Sequence, residues 1–307
     1  NEFQILKDQG LLLPATVLIH GVPLREAEFR EMAAADATLV WSPMSNMLLY
    51  GDTARPDLAK NEGVRITLAP DWGPSGSKNS LHELKMADYV NTNSLDDAFT
   101  DFELVQMVTS NAADAISWTP YVGRIDEGLK ADLLIVDNIH VDPYRNLIKS
   151  IDPDIRLVVV GGIPVFGDID LMKSLKGEDF EKVEGNGFVK AVDITFEGVP
   201  DGWQNFSYIE STLKEALLFD HNIMFNSFWD GDRASFDEVY VDGTYADLSA
   251  TTLDPIFTYG DLRYFDVLNR SIPFNSKGKI DLWSEYYDVE YNLDGNRSGA
   301  AIILPDT

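Results

Sequence analysis

Three short apolar runs near the start of the chain have the length and composition of buried β-strands. Each run ends just before residues that can do chemistry, and each is followed by a loop and a helical pattern. The runs are residues 16–19 before His20, residues 37–40 before Trp41 and Ser42, and residues 64–70 before Asp71. Strand, helix and strand at this spacing predict parallel pairing, as in a β/α barrel, whose catalytic side chains stand at the C-terminal ends of the strands.

Helices are predicted where apolar residues recur three and four positions apart. The predicted helices cover residues 24–35, 56–61, 81–90 and 102–118. Gly63 is expected to end the second of them. Residues 42–46, Ser-Pro-Met-Ser-Asn, are interpreted as a rigid loop.

The pattern changes after residue 118. Runs at 131–136, 155–160 and 163–166, with a Gly161-Gly162 turn, predict an antiparallel segment. Beyond a polar stretch at 177–187, residues 188–307 are aromatic and acidic, with one clear helix predicted at 208–218. These shifts predict three parts: a partial barrel (1–118), a β-sandwich segment (119–174) and an acidic α+β C-terminal region of unknown role (175–307).

Composition limits the partners more than the chemistry. The 307 residues carry a net charge of −27, which argues against nucleic acid or an anionic membrane surface as a partner. There is no cysteine, so thiolate metal sites and cysteine nucleophiles are excluded. The chain opens with Asn1-Glu2-Phe3 and has neither a signal-peptide pattern nor an apolar run of membrane-spanning length, which leaves the cytoplasm and the periplasm both open. A homo-oligomer also stays open.

His20 and Asp71 are the candidates for metal chemistry, because each directly follows a predicted strand. Imidazole there can bind a metal or polarise a substrate, and a carboxylate can bind the same metal and take a proton from water. The alternatives are a loop histidine and a turn aspartate before Trp72. Taken one at a time, these residues do not decide between the two.

Three neighbouring residues have the same ambiguity. Trp41 can wall a substrate pocket or cap the barrel core, and Ser45 and Asn46 can bind substrate or only satisfy a turn. Residues 75–78 resemble a phosphate-binding loop only loosely. The pattern of oxygen-bearing residues at 230–232 and 294–298 is shared by calcium loops and solvated acidic loops, and the full EF-hand pattern is absent.

Read together, these segments resemble the amidohydrolase superfamily, in its deaminase and chlorohydrolase-like branch. The matching text lies at residues 17–21, 40–51, 63–71, 80–85, 109–115 and 122–137. The resemblance implies an α/β fold, the C-terminal portion of a (β/α)8 barrel with strands six to eight, followed by part of a small β-sandwich. It also implies a metal-dependent hydrolase of non-peptide carbon–nitrogen bonds in a small molecule.

The resemblance also implies roles for single residues. His20 and Asp71 would be catalytic and would bind a divalent metal, expected to be zinc, and His20, Trp41, Ser45, Asn46 and Trp72 would contact substrate. Trp41 stands where close relatives often have histidine, which leaves the substrate unassigned.

The family's His-x-His pair and its fifth-strand ligand have no counterpart in this chain. The metal ligand set is therefore incomplete, and the chain is expected to need the N-terminal half of the barrel and to hydrolyse nothing alone. Two alternatives stay open: a non-catalytic binding or scaffold protein built on a degenerate half-barrel, and a calcium-dependent surface or carbohydrate-binding role for residues 188–307.

Overall fold

The computed structural model describes residues 2–72, 76–185, 188–195 and 205–217. Its first sheet has three parallel strands in the order β1-β2-β3, with Leu18 paired to Leu39 and Leu39 to Ile66. The strands are β1 (Val17–Ile19), β2 (Thr38–Trp41) and β3 (Arg65–Leu68). The predicted parallel pairing is therefore confirmed, and the carboxyl ends of the three strands lie along one edge.

Seven helices accompany this sheet in the described part of the chain. They are α1 (Glu2–Asp8), α2 (Glu26–Ala34), α3 (Pro43–Tyr50), α4 (Pro56–Asn61), α5 (Ser80–Ser94), α6 (Asp101–Met107) and α7 (Ser110–Ala115). The predicted helices at 24–35, 56–61 and 81–90 are confirmed as α2, α4 and the larger part of α5.

Two predictions about these helices are wrong. Residues 42–46 do not form a loop, because Ser42 is the N-cap of α3 and Pro43 occupies its first position, where a missing N–H costs nothing. Gly51 then ends α3 in a left-handed conformation, with φ 59°. The single helix predicted over 102–118 is two helices, since Thr109 leaves the helical region with φ −125° and ψ −98°.

The first sheet and helices α1 to α7 form the first unit, and its core lies between the sheet and the helices. Leu39 and Trp41 are fully buried in the same apolar cluster as Phe29 and Met32 of α2. Val40, between them, is only partly buried, as expected where alternate residues of a strand point to opposite faces. The side of β2 that carries Trp41 therefore faces the helices.

The second sheet has five antiparallel strands in the order β4-β5-β6-β8-β7. The strands are β4 (Leu133–Val136), β5 (Ile155–Val160), β6 (Ile163–Gly167), β7 (Glu181–Gly185) and β8 (Phe188–Val192). The predicted antiparallel segment is confirmed, with Gly161 and Gly162 at positive φ in the turn between β5 and β6. Because β6 pairs with β8, the sheet crosses the boundary predicted after residue 174.

Side-chain packing also connects residues on the two sides of the boundary predicted after residue 118. Three further helices are α8 (Pro143–Lys149), α9 (Ile169–Lys176) and α10 (Phe206–Leu217), with a short 3-10 turn at Asp152–Asp154. Ile148 of α8 is fully buried within the core of the first unit. Arg145 fixes the same helix by pairing with Asp88 at 2.7 Å and with Asp101.

Only part of the acidic C-terminal region falls within the described residues. The helix predicted at 208–218 is confirmed as α10. The acidic loops at 230–232 and 294–298 lie outside the described residues. None of the helices in the described part is long and apolar enough to cross a membrane.

Candidate active site

His20 lies at the carboxyl end of β1 in a left-handed backbone conformation, with φ 68°. This region is uncommon for residues other than glycine, and such strain concentrates at functional sites. Its backbone N–H donates to the carbonyl of Val40 on β2, which holds the turn against the sheet. The ring lies edge-on to Tyr50, with 5.6 Å between centroids.

Asp71 follows β3 and faces His20, with 3.7 Å between Asp71 Oδ2 and His20 Nε2. The carboxylate accepts a 2.6 Å hydrogen bond from Ser45 Oγ and a 2.8 Å bond from the backbone N–H of Trp72. The Ser45 bond is the main cause that lowers the pKa of Asp71. Burial opposes this shift, while the Trp72 N–H and the nearby His20 add to it.

Helix α3 supplies the side chains that hold this pair. Ser45 and Asn46 are both fully buried, Ser45 against Asp71 and Asn46 against His20, with 3.0 Å between Asn46 Nδ2 and His20 Nδ1. Both were predicted to contact substrate. Their burial leaves them no surface to offer, and their polar atoms instead orient the two candidate catalytic groups.

The start of α3 is held in turn by Glu83, a residue of α5 to which the sequence assigned no role. Glu83 is fully buried, and its Oε1 accepts a 3.2 Å hydrogen bond from the Met44 backbone N–H. No local pattern identifies it, because a glutamate in the first turn of a helix is common on exposed surfaces.

The two tryptophans of the predicted site lie apart from this pair. Trp41 is fully buried on the helix side of β2, where its indole N–H donates a 2.8 Å hydrogen bond to Thr53. This burial favours the alternative in which Trp41 packs in the core rather than lining a substrate pocket. Trp72 is two-thirds exposed beside Asp71, so it stays a candidate for substrate contact.

Residues 75–78 resemble a phosphate-binding loop only loosely, and their lysine pairs with an aspartate. Lys78 Nζ forms an ion pair with Asp152, whose side chain is almost fully buried. Gly76 is needed for a different reason: a Cβ there would lie 2.7–2.8 Å from backbone atoms of Asp71. Gly76 therefore lies close against the backbone of Asp71.

Two donors alone do not make a catalytic metal site. Within the described ranges, there is no cluster of three or more His, Cys, Asp or Glu residues able to hold a metal ion. His20 and Asp71 are therefore a pair, whereas a catalytic zinc takes three protein ligands.

Comparison with known proteins identifies the family. The model of the amidohydrolase family matches residues 5–165, more than half of the 307-residue chain, so the chain belongs to this family. The resemblance seen in the sequence is thus confirmed.

Its relatives include a 5-methylthioadenosine/S-adenosylhomocysteine deaminase of Caldanaerobacter subterraneus subsp. tengcongensis, 28% identical over 59% of this chain and 43% of that protein. A protein of the same name from Pyrococcus furiosus is 33% identical over 44% of this chain and 32% of that protein. The chain therefore spans less than half of the length of these relatives. Among solved structures, a zinc-bound adenosine deaminase from Xanthomonas campestris aligns with TM-score 0.48 and 20% identity, over 52% of this chain and 39% of that one.

Proposed function

We propose that this chain carries one side of the active site of a metal-dependent hydrolase acting on a non-peptide carbon–nitrogen bond in a small molecule. The observation that carries the proposal is the His20–Asp71 pair, 3.7 Å apart beyond the carboxyl ends of β1 and β3, the two outer strands of the sheet. Membership of the amidohydrolase family supports the same reaction class. On this proposal β1, β2 and β3 correspond to strands six to eight of a (β/α)8 barrel.

The spacing of the pair suits a shared divalent cation. Two donors bound to one tetrahedral zinc at their usual distances lie about 3.4 Å apart. His20 Nε2 and Asp71 Oδ2, at 3.7 Å, therefore need to move very little to share an ion. These two residues would supply part of the ligand set, and the other donors would come from outside the described residues.

The amide of Asn46 is compatible with this assignment, because either of its ends can face the His20 ring. Asn46 Oδ1 is buried and has no hydrogen-bond partner among the described residues, while Nδ2 lies against His20 Nδ1. Rotating the amide by half a turn would let Oδ1 accept a hydrogen bond from Nδ1–H. That tautomer frees the Nε2 lone pair on the side of Asp71, as a metal-bound histidine requires.

The residues of this chain would then have separate tasks. A divalent cation bound there would lower the pKa of a nearby water molecule. Asp71, kept ionised by its bond from Ser45, would help hold the cation and accept a proton at a carboxylate oxygen. His20 would orient the polar group of the substrate, and exposed Trp72 would contact its apolar part.

The names of relatives, deaminases of 5-methylthioadenosine and S-adenosylhomocysteine, support a proposal for the substrate class. We propose an exocyclic amine on a purine-like ring as the group removed. We further propose that the chain alone is not competent, because a catalytic zinc needs three protein ligands and this pair provides two.

A zinc titration followed by NMR of the His20 ring tests the site. Zinc is expected to shift the His20 resonances weakly, without stoichiometric binding, and Asp71→Asn should abolish the shift. Asp52→Asn is the matched control, because Asp52 also accepts the N–H of the next residue, at 2.9 Å from Thr53, but lies elsewhere. The proposed site is rejected if zinc leaves His20 unchanged, or shifts it equally in Asp71→Asn.

The same titration tests the claim that the chain alone is incompetent. Tight stoichiometric zinc that Asp71→Asn removes would show a complete ligand set in this chain. Ammonia release from 5′-methylthioadenosine by the zinc-loaded chain, lost in Asp71→Asn and kept in Asp52→Asn, would contradict the claim while supporting the reaction.

A further inference from the structure

Helix α3 begins without help from its own N-cap side chain. Ser42 makes no capping hydrogen bond, because its hydroxyl donates instead to the carbonyl of Ala69 at 2.8 Å. Pro43 has no N–H, so Met44 carries the first backbone donor that needs a partner. That partner is Glu83 Oε1 at 3.2 Å, on a different helix and 39 residues further along the chain.

Glu83 is an unusual residue for this task, since its side chain has no exposed surface. Burial raises the pKa of Glu83 to about 7, and the hydrogen bond from the Met44 backbone N–H offsets part of that rise. Asp71 is the charged group near enough to raise it further. A carboxyl group is costly to bury, so a bond that fixes a backbone position is a specific use for it.

The position that Glu83 fixes lies directly before the two residues that hold the candidate active site. Ser45 donates to Asp71 at 2.6 Å, and Asn46 lies 3.0 Å from His20. Since α3 is short, a shift of its first turn moves both side chains together. We propose that Glu83 is a positioning residue, which fixes the start of α3 and thereby sets Ser45 on Asp71 and Asn46 on His20.

The catalytic meaning of this positioning rests on the proposed function, but the positioning itself does not. A purely stabilising cap would strengthen α3 without governing the His20 and Asp71 contacts. Glu103 provides the comparison: it accepts a 2.8 Å hydrogen bond from the Thr100 N–H at the start of α6, so it also caps a helix.

The test uses the metal-free chain without substrate and compares Glu83→Gln with Glu83→Asp at about pH 8, where Glu83 is ionised. Glutamine keeps the length and an acceptor oxygen, whereas aspartate keeps the charge and withdraws the acceptor by one methylene. The readouts are Met44 amide exchange, the Asn46 side-chain amide resonances and the ring nitrogen shifts of His20. Glu103→Asp is the matched control.

We expect Glu83→Asp to speed Met44 amide exchange about tenfold and to shift the Asn46 and His20 signals. Glu83→Gln should leave the Asn46 and His20 signals close to wild type, and Glu103→Asp should leave all of these signals unchanged. The proposal fails if Glu83→Asp leaves Asn46 and His20 at their wild-type positions, or if Glu103→Asp moves them equally.

A variant that does not fold does not block the test. If Glu83→Asp fails to fold, Glu83→Gln decides through the Met44 amide proton, whose acceptor changes from a carboxyl to an amide oxygen. That resonance must move, and its staying in place would overturn the proposal. Because no readout involves turnover, failure of the hydrolase proposal would leave this result intact.

Discussion

Ser45 and Asp71 are joined by a 2.6 Å hydrogen bond, although they are 26 residues apart and Asp71 lies beyond the end of β3. The oxygen that accepts this bond, Asp71 Oδ2, is also the one that faces His20 Nε2 at 3.7 Å. A buried hydroxyl on α3 therefore holds the carboxylate oxygen of Asp71 that faces His20. The candidate site depends on a helix that contributes no ligand of its own.

Removing this hydroxyl is expected to raise the pKa of Asp71. Ser45→Ala deletes the main interaction that lowers it, and the neighbouring Trp72 N–H and His20 only partly compensate. The carboxyl carbon resonance of Asp71, followed through an acid titration, measures the change. Ser42→Ala is the control, since its hydroxyl donates to the neutral Ala69 carbonyl. An unchanged Asp71 titration in Ser45→Ala would contradict the assignment.

The same substitution should lower stability by about 1 kcal/mol at neutral pH, as for a hydrogen bond to a partly exposed charged group. A carboxyl with a lowered pKa in the folded state stabilises the fold above its unfolded pKa. This contribution is lost as the pH falls through the folded value. The free energies of unfolding of wild type and Ser45→Ala should therefore converge in acid, as denaturation at several pH values would show.

Glu83 is expected to have the opposite pH dependence. Its pKa is about 7 in the folded state against an ordinary 4.5, so between these values the unfolded chain releases a proton that the folded chain keeps. Stability is therefore lost as the pH rises through this window, by about 3 kcal/mol in all. Glu83→Gln has no such loss. Its free energy of unfolding should therefore rise relative to that of wild type between about pH 5 and pH 8.

Urea denaturation of both proteins at the two pH values measures this gain. Glu103→Gln is the control. Burial raises the pKa of Glu103, but hydrogen bonds from Lys60 and Thr100 outweigh it, so the net shift is downward. The pH-dependent part of its contribution therefore lies below the ordinary pKa of glutamate, and the stability difference between Glu103→Gln and wild type should stay nearly constant between about pH 5 and pH 8. A Glu83→Gln difference that stays constant with pH would show that the buried carboxyl is ionised throughout.

Gly76 should be intolerant of any side chain. A Cβ there would lie 2.7–2.8 Å from the carbonyl carbon, oxygen and nitrogen of Asp71, and this contact is with rigid backbone. Gly76→Ala is expected to cost about 1–3 kcal/mol and to shift the Asp71 carboxyl resonance, because the aspartate must be displaced. Gly10→Ala is the comparison: Gly10 has φ +65° but nothing within 4 Å, so strain alone should lower stability and leave Asp71 unchanged.

The sequence predicted the strands and the two strand-end residues because both have local signals. Apolar runs mark β1 to β3, and His20 and Asp71 follow them directly. Helix α3 was missed because serine, proline and asparagine are typical of turns, yet the same residues suit a helix N-terminus. Glu83 was missed because its task depends on a contact 39 residues away, which no local pattern contains.

The sheet continues past the boundary predicted after residue 174 for a similar reason. Strands β7 and β8 pair with each other, and Lys182 and Glu184 of β7 are exposed, so the segment has a polar composition. A polar stretch predicts a linker when strand pairing is unknown. Only the pairing of β6 with β8 shows that the sheet continues.

Variants of Trp41 can test whether this residue belongs to the core rather than to the active site. Its indole N–H donates a 2.8 Å hydrogen bond to Thr53 Oγ1, and both side chains are buried on the helix side of β2. Trp41→Phe, Thr53→Val and the double variant form a thermodynamic cycle, and the hydrogen bond should give a coupling free energy of about 1 kcal/mol by chemical denaturation. The cycle removes the separate cost of the cavity left by Trp41→Phe, which falls equally on the single and double variants. Because the Trp41 side chain is buried and bonds Thr53 rather than His20 or Asp71, none of the three variants should change the ring nitrogen shifts of His20 or their response to zinc. A zinc response that changes in Trp41→Phe would return this tryptophan to the active site.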